Sequence, residues 1–151
     1  MIRYHWKLGG AFVVGLSMLS SLASAADTDS SLRLSLRSQE VTASGRGEFV
    51  RANTWSRPGF TKAHVIAVDD GSMSTSSSTA LRSGPQTMQG VGFSLTIGRK
   101  GTSHGTSVTR ANGPSAELDM KGYSTQESAE QTARANGRTA QARNNVQNFL
   151  R

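Results

Sequence analysis

Leu32, Leu34 and Leu36 alternate with Arg33, Ser35 and Arg37, a period of two that places three leucines on one face of a β-strand and two arginines on the other. Ser44-Gly45-Arg46-Gly47 interrupts this pattern, because two close glycines favour a turn or bulge. Glu48 to Trp55 reads as a second strand, ended by the turn residues Arg57-Pro58-Gly59. Phe60 to Val68 is the most hydrophobic stretch after the N-terminal run, and its Val65, Ile66 and Val68 favour a strand. Asp69-Asp70-Gly71 then supplies hairpin chemistry, since Asp-Gly tolerates positive φ.

Residues 72–87 are dominated by serine and threonine and fit either a polar edge strand or a mobile loop. Val91, Phe93, Leu95 and Ile97 alternate with Gly92, Ser94, Thr96 and Gly98, a second strong strand signal. Gly101 to Thr109 returns as its hairpin partner through Arg99-Lys100-Gly101. Asn112-Gly113-Pro114 marks a turn, and Glu117 to Tyr123 gives one more short strand. The tail changes character. Ser124-Thr125-Gln126-Glu127 fits the capping box of a helix start, and Gln126 to Leu150 is rich in Ala, Gln, Arg and Asn, interrupted by Gly137. Its apolar face is weak, so such a helix is marginal in isolation.

These patterns predict a mainly β fold: a small antiparallel sandwich or meander of about six or seven short strands, with a polar C-terminal α-helix. The expected organisation is a leader over 1–25, a β-rich domain over 26–123 and a helical or mobile tail over 124–151. The leader reads as a signal peptide. Arg3 and Lys7 precede an apolar run from Leu8 to Leu22, and Ala23-Ser24-Ala25 places cleavage after Ala25.

Composition sharpens this picture. The 126 residues after Ala25 hold 20 Leu, Ile, Val or Phe, about 16 %, against about 36 % Ser, Thr and Gly. So low an apolar content implies a thin core and makes partners or polymerisation natural. The full chain carries a net charge of +7 and no cysteine, which excludes a disulfide scaffold, thiol chemistry and a lipoprotein anchor. After the leader no apolar stretch is long enough for a membrane-spanning helix. The cations are scattered singly except for Arg99-Lys100, which favours a solvated surface over specific nucleic-acid binding. Arg-Ala-Asn recurs at Arg51, Arg110 and Arg134 without a constant period, so no solenoid is expected.

Candidate chemistry is sparse. Ser103-His104-Gly105-Thr106 resembles the surroundings of the base in subtilisin-like proteases, but the serine elbow and acid motif of that class are missing. A small hydrolase would need His64 or His104 beside a carboxylate and a hydroxyl in one cleft. Asp69-Asp70 reads as turn capping. Glu117 and Asp119 share a strand face that could meet a hard cation, although two carboxylates are few for calcium. No phosphate loop is present, and no catalytic, metal-binding or cofactor-binding residue is expected. Arg51, Trp55 and Arg57 form the one cluster of an aromatic among cations, the candidate contact for an anionic or glycan ligand.

The functional expectation is therefore an exported, non-enzymatic protein of the cell envelope or extracellular matrix. It would act by self-association or adhesion, as a fibre or biofilm-type subunit does, in the periplasm or at the cell surface. Its partners would be itself, another envelope or matrix protein, or an anionic polysaccharide. The composition is similar to that of secreted fibre subunits of the curlin type, with Ser83 and Gln89 at a Ser-x5-Gln spacing and no repeat array following. Strand addition is expected at Leu32–Val41 or Ser72–Leu81. The alternative is a monomeric periplasmic binding or accessory module for an anionic ligand or partner protein.

Overall fold

The computed structural model describes residues 14–15 and 26–150. The expected leader and its cleavage position after Ala25 lie outside the described residues, except for a two-residue strand, Val14–Gly15 (β1). Ten longer strands follow: β2 Asp27–Ser35, β3 Gln39–Arg46, β4 Phe49–Arg57, β5 Phe60–Asp69, β6 Ser72–Gly84, β7 Thr87–Gly98, β8 Gly101–Asn112, β9 Glu117–Ser124, β10 Ala129–Asn136 and β11 Thr139–Leu150. Every pairing is antiparallel. One sheet runs β4-β5-β6-β7-β8-β11, with β1 added beside β4 at Ala52 and Asn53; the other runs β10-β9-β2-β3. The chain crosses between sheets at β3–β4, β8–β9 and β10–β11, and the two sheets pack face to face.

The mainly β class and the antiparallel two-layer arrangement hold. The strand number and the helical tail do not. Residues 72–87 are neither loop nor edge: β6 is a 13-residue strand between β5 and β7. Of Leu32–Val41, the part in β2 lies between β9 and β3, and only Gln39–Val41, in β3, stands on an edge. In place of the expected helix, β10 pairs with β9 and β11 pairs with β8 over its whole length. The Ser-x-x-Glu motif caps no helix. The Thr125 Oγ1 instead accepts from the amides of Glu127 (3.3 Å) and Ser128 (3.1 Å), a local turn between β9 and β10. Ala129, Gln131 and Ala133 point inward while Glu130, Thr132 and Arg134 point out, so the weak helical face is a period-two face. Both Ala-Asn-Gly segments end strands, and Gly113 (φ 125°) and Gly137 (φ 155°) take backbone angles that L side chains rarely adopt.

The interior is divided. Leu32, Leu34, Met88, Leu118 and Met120 form an apolar core with Ala80, Ala111 and Ala133. A smaller apolar patch lies under β5 at Ala63, Val65 and Ala67. Elsewhere the space between the sheets is filled by small polar residues. Gln131, 1 % exposed, accepts from Ser94 Oγ at 2.8 Å and donates to Ser78 Oγ at 3.2 Å, and Ser78 meets Ser30 at 3.3 Å. Buried amides and hydroxyls satisfied in this way are tolerated, whereas unpaired ones are costly. Glycine makes the close approach possible: a Cβ on Gly105 would lie 2.7 Å from the Gln131 backbone nitrogen.

Candidate functional site

Side chains alternate across a sheet, and in the six-stranded sheet the small residues took the inward positions. On β7, Met88, Gly90, Gly92, Ser94 and Thr96 are buried, while Val91, Phe93 and Ile97 are exposed. On β6 the inward set is Ser72, Ser74, Ser76, Ser78 and Ala80. The larger residues therefore face out. Of the ten large hydrophobic side chains exposed among the described residues, eight stand on this outer face.

The register aligns them in rows. The row nearest the β5–β6 turn runs Phe49, Val68, Met73, Ile97, Thr102 and Phe149. Two rows further on, Phe93 stands between Ser77 and Thr106. The next row pairs Val91 with Val108, 56 % and 58 % exposed. Val91, Phe93, Leu95 and Ile97 thus form an apolar strip along β7, with Val108, Val68 and Phe149 near it, and apolar side chains gathered on a surface mark contact with something else.

The charges on this face are arranged as well. Arg51, Arg57 and Lys62 lie on β4 and β5 along one margin; Arg110 and Arg143 lie on β8 and β11 along the other. The outward positions of the two middle strands, Met73 to Leu81 on β6 and Gln89 to Ile97 on β7, hold no charge. No carboxylate projects from this face among the described residues. The opposite face of the molecule differs: Arg33 pairs there with Glu117, and Asp29, Glu40, Asp119 and Glu130 stand on its four strands.

Arg51, Trp55 and Arg57, the candidate contacts read from the sequence, all project from the outer face of β4. They are joined by Lys62, directly across from Trp55 and with its Nζ 5.2 Å from the ring centre, a cation–π contact. His64 lies in the same group, across from Asn53; partial burial, then Lys62 and Arg51, hold its pKa below the ordinary imidazole value. The sequence reading missed the opposite margin. There a shallow cavity of about 280 Å³ is lined by Arg110, Asn112, Thr139 and Gln141, which present hydrogen-bond donors and no carboxylate.

The histidines and carboxylates do not converge. His104 on β8 stacks on Phe149 with ring centres 5.8 Å apart, three strands from His64 on β5. Asp69 is buried and accepts from the Asp70 amide at 2.8 Å, while Asp70 pairs with Arg99 at 2.8 Å on the surface. The Glu117–Asp119 face, considered for a hard cation, is occupied by the Arg33 guanidinium. Among the described residues no three His, Asp or Glu side chains come together in a metal-binding arrangement.

The second feature is an edge. Each sheet has two outer strands, and most carry the devices that discourage strand addition. On β3 and β10 charges stand at Glu40, Arg46, Glu130 and Arg134, and β4 is charged at Arg51 and Arg57. The free edge of β10 is also clasped from β11, where Asn144 Oδ1 accepts the Ala133 amide at 2.9 Å. β11 has 12 residues without proline, glycine or bulge, a single charge at Arg143, and exposed side chains from Thr139 to Phe149.

Comparison of the chain with protein-family models, with curated proteins and with solved structures finds no match.

Proposed function

We propose that this is an exported, non-enzymatic protein of the cell envelope or extracellular matrix that works by self-association, and that β11 is the strand on which further copies add. One observation carries the reading: β11 is 12 residues long, without proline, glycine or bulge, uncharged but for Arg143, and paired on one side only. Such an edge offers a row of unpaired amides and carbonyls to another chain. Pairing two β11 strands antiparallel about Asn145, with like faces together, sets Arg143 opposite Gln147, so no like charges meet. This replaces Ser72–Leu81 and Leu32–Val41 as the places of addition.

The test is sedimentation velocity over a hundredfold range of concentration, on the parent protein and on Ala142→Lys/Val146→Lys, which puts two lysines on the inward side of an exposed strand. Mass rising with concentration in the parent and a monomer throughout in the variant, with matching circular dichroism, supports the proposal. A parent that stays monomeric, or a variant that associates as the parent does, refutes it.

A second reading, a monomeric module for an anionic ligand, is favoured by the carboxylate-free outer face that gathers Arg51, Trp55 and Arg57 with Lys62. It requires a single mass at every concentration.

A further inference from the structure

We propose that the outer face of the six-stranded sheet is a seat for the surface of an anionic lipid bilayer, on which the protein lies flat. It does not depend on strand addition at β11. The face has the layout that an interfacial element needs: an apolar strip with basic groups beside it. Val91, Phe93, Ile97 and Val108 supply the strip, on strands whose middle pair carries no outward charge. Cations flank it on both sides, where long side chains can rest their stems on apolar surface and raise their heads to phosphate. Trp55, half-buried against Lys62, suits the headgroup level. The donor-lined cavity of about 280 Å³ at Arg110, Asn112, Thr139 and Gln141 is roomy enough for a phosphate group.

Other occupants satisfy only part of this chemistry. A second copy packed face to face would oppose five cations with five. A copy stacked on the opposite face would press the apolar strip against Asp29, Arg33, Glu117 and Glu130. An acidic polysaccharide would engage the cations and leave the exposed Val91–Val108 pair in water. Complete insertion as a membrane barrel is opposed by the charges on the four-stranded sheet, each costing about 2–4 kcal/mol for a cation at mid-bilayer. A lipid surface meets both halves of the face at once.

The experiment is flotation of the purified protein with vesicles of phosphatidylcholine, with and without about one-third phosphatidylglycerol. Binding to the anionic vesicles, weakened by salt, is expected. Arg110→Gln/Arg143→Gln should weaken it about thirtyfold, from roughly a fivefold contribution per cation near the surface. Lys121→Gln/Arg134→Gln removes the same charge from the other sheet and should change it less than about threefold, since those cations face away. Val91→Thr/Val108→Thr should weaken flotation about tenfold with the melting temperature held. The proposal is overturned by absence of flotation, by equal losses in the two arginine and lysine pairs, or by binding to polygalacturonate with none to vesicles. It is also overturned if Arg110→Gln/Arg143→Gln abolishes concentration-dependent mass and leaves flotation intact, which would make the face a contact between copies. Loss of self-association in Ala142→Lys/Val146→Lys with flotation retained separates this proposal from that for β11.

Discussion

Two neighbouring substitutions test which side of β7 is the inside of the protein. Val91 is 56 % exposed on the outer face, so Val91→Thr removes apolar contact from a side chain already more than half in water. A fully buried methylene is worth about 0.8 kcal/mol, so the loss here is about 0.3 kcal/mol, and threonine keeps the β-branched shape that strands favour. Gly92 points inward and is buried. A Cβ there would fall inside the Gln131 amide and 2.6 Å from Ser107 Oγ. The Gln131 amide is held at that place by Ser94 and Ser78 and lies against Gly122 on its other side. Overpacking of this kind costs about 1–3 kcal/mol. Displacing Gln131 also loosens its hydrogen bonds to Ser94 and Ser78, each worth about 1 kcal/mol. Gly92→Ala should therefore lose about 3 kcal/mol, a fall in melting temperature of about 8–15 °C for a domain of this size. The assay is thermal and urea unfolding followed by circular dichroism. If Val91→Thr proves as damaging as Gly92→Ala, or if Gly92→Ala is neutral, the large residues of β7 face the core and the outer-face reading is wrong.

Other expectations follow from the same packing. Leu118→Ala, at a position 0 % exposed in the apolar core, should lose about 2–5 kcal/mol in urea unfolding, and a loss below 1 kcal/mol would show that this end of the sandwich is loosely packed. His64 binds a proton less readily in the folded protein than in the unfolded chain, so its contribution is intact above the unfolded imidazole value of about 6.5 and is lost as the pH falls below it. The urea midpoint of the parent should drop between neutral and mildly acid pH more steeply than that of His64→Gln; equal slopes would remove His64 as the cause. Ser76→Pro, a natural choice for blocking strand addition if β6 were an edge, should instead abolish folding, because Ser76 is fully buried in a strand paired on both sides. A soluble, folded Ser76→Pro protein would contradict the sheet order.

Much of the strand map was legible in the sequence. Alternation at Leu32–Leu36 and Val91–Ile97, the β-branched run at Val65–Val68 and the Asp-Gly and Asn-Gly corners mark strands and turns through local chemistry alone. The cluster at Arg51, Trp55 and Arg57 was legible too, because positions two and four apart share a strand face. The helical tail was misread because Ala, Gln and Arg favour helix locally, while β8 offered β11 a full ladder of hydrogen bonds that no local propensity records.

The sequence by itself determined that the chain is β, that its interior is thin, and that large and small residues occupy opposite faces. Only the tertiary structure decided which of those faces is inside. A period of two sorts side chains into two sets and is silent about which set meets a second sheet. Here the second sheet brings Gln131 and the backbone of Glu130 so close that only glycine, serine and alanine fit opposite them, and the valines, phenylalanines and cations were left on the surface. One trace of this was present beforehand: Lys62 and His64 share the parity of Ile66 and Val68, and His104 that of Val108 and Arg110. Charges in register with apolar residues mark the face that stays in contact with solvent or a partner.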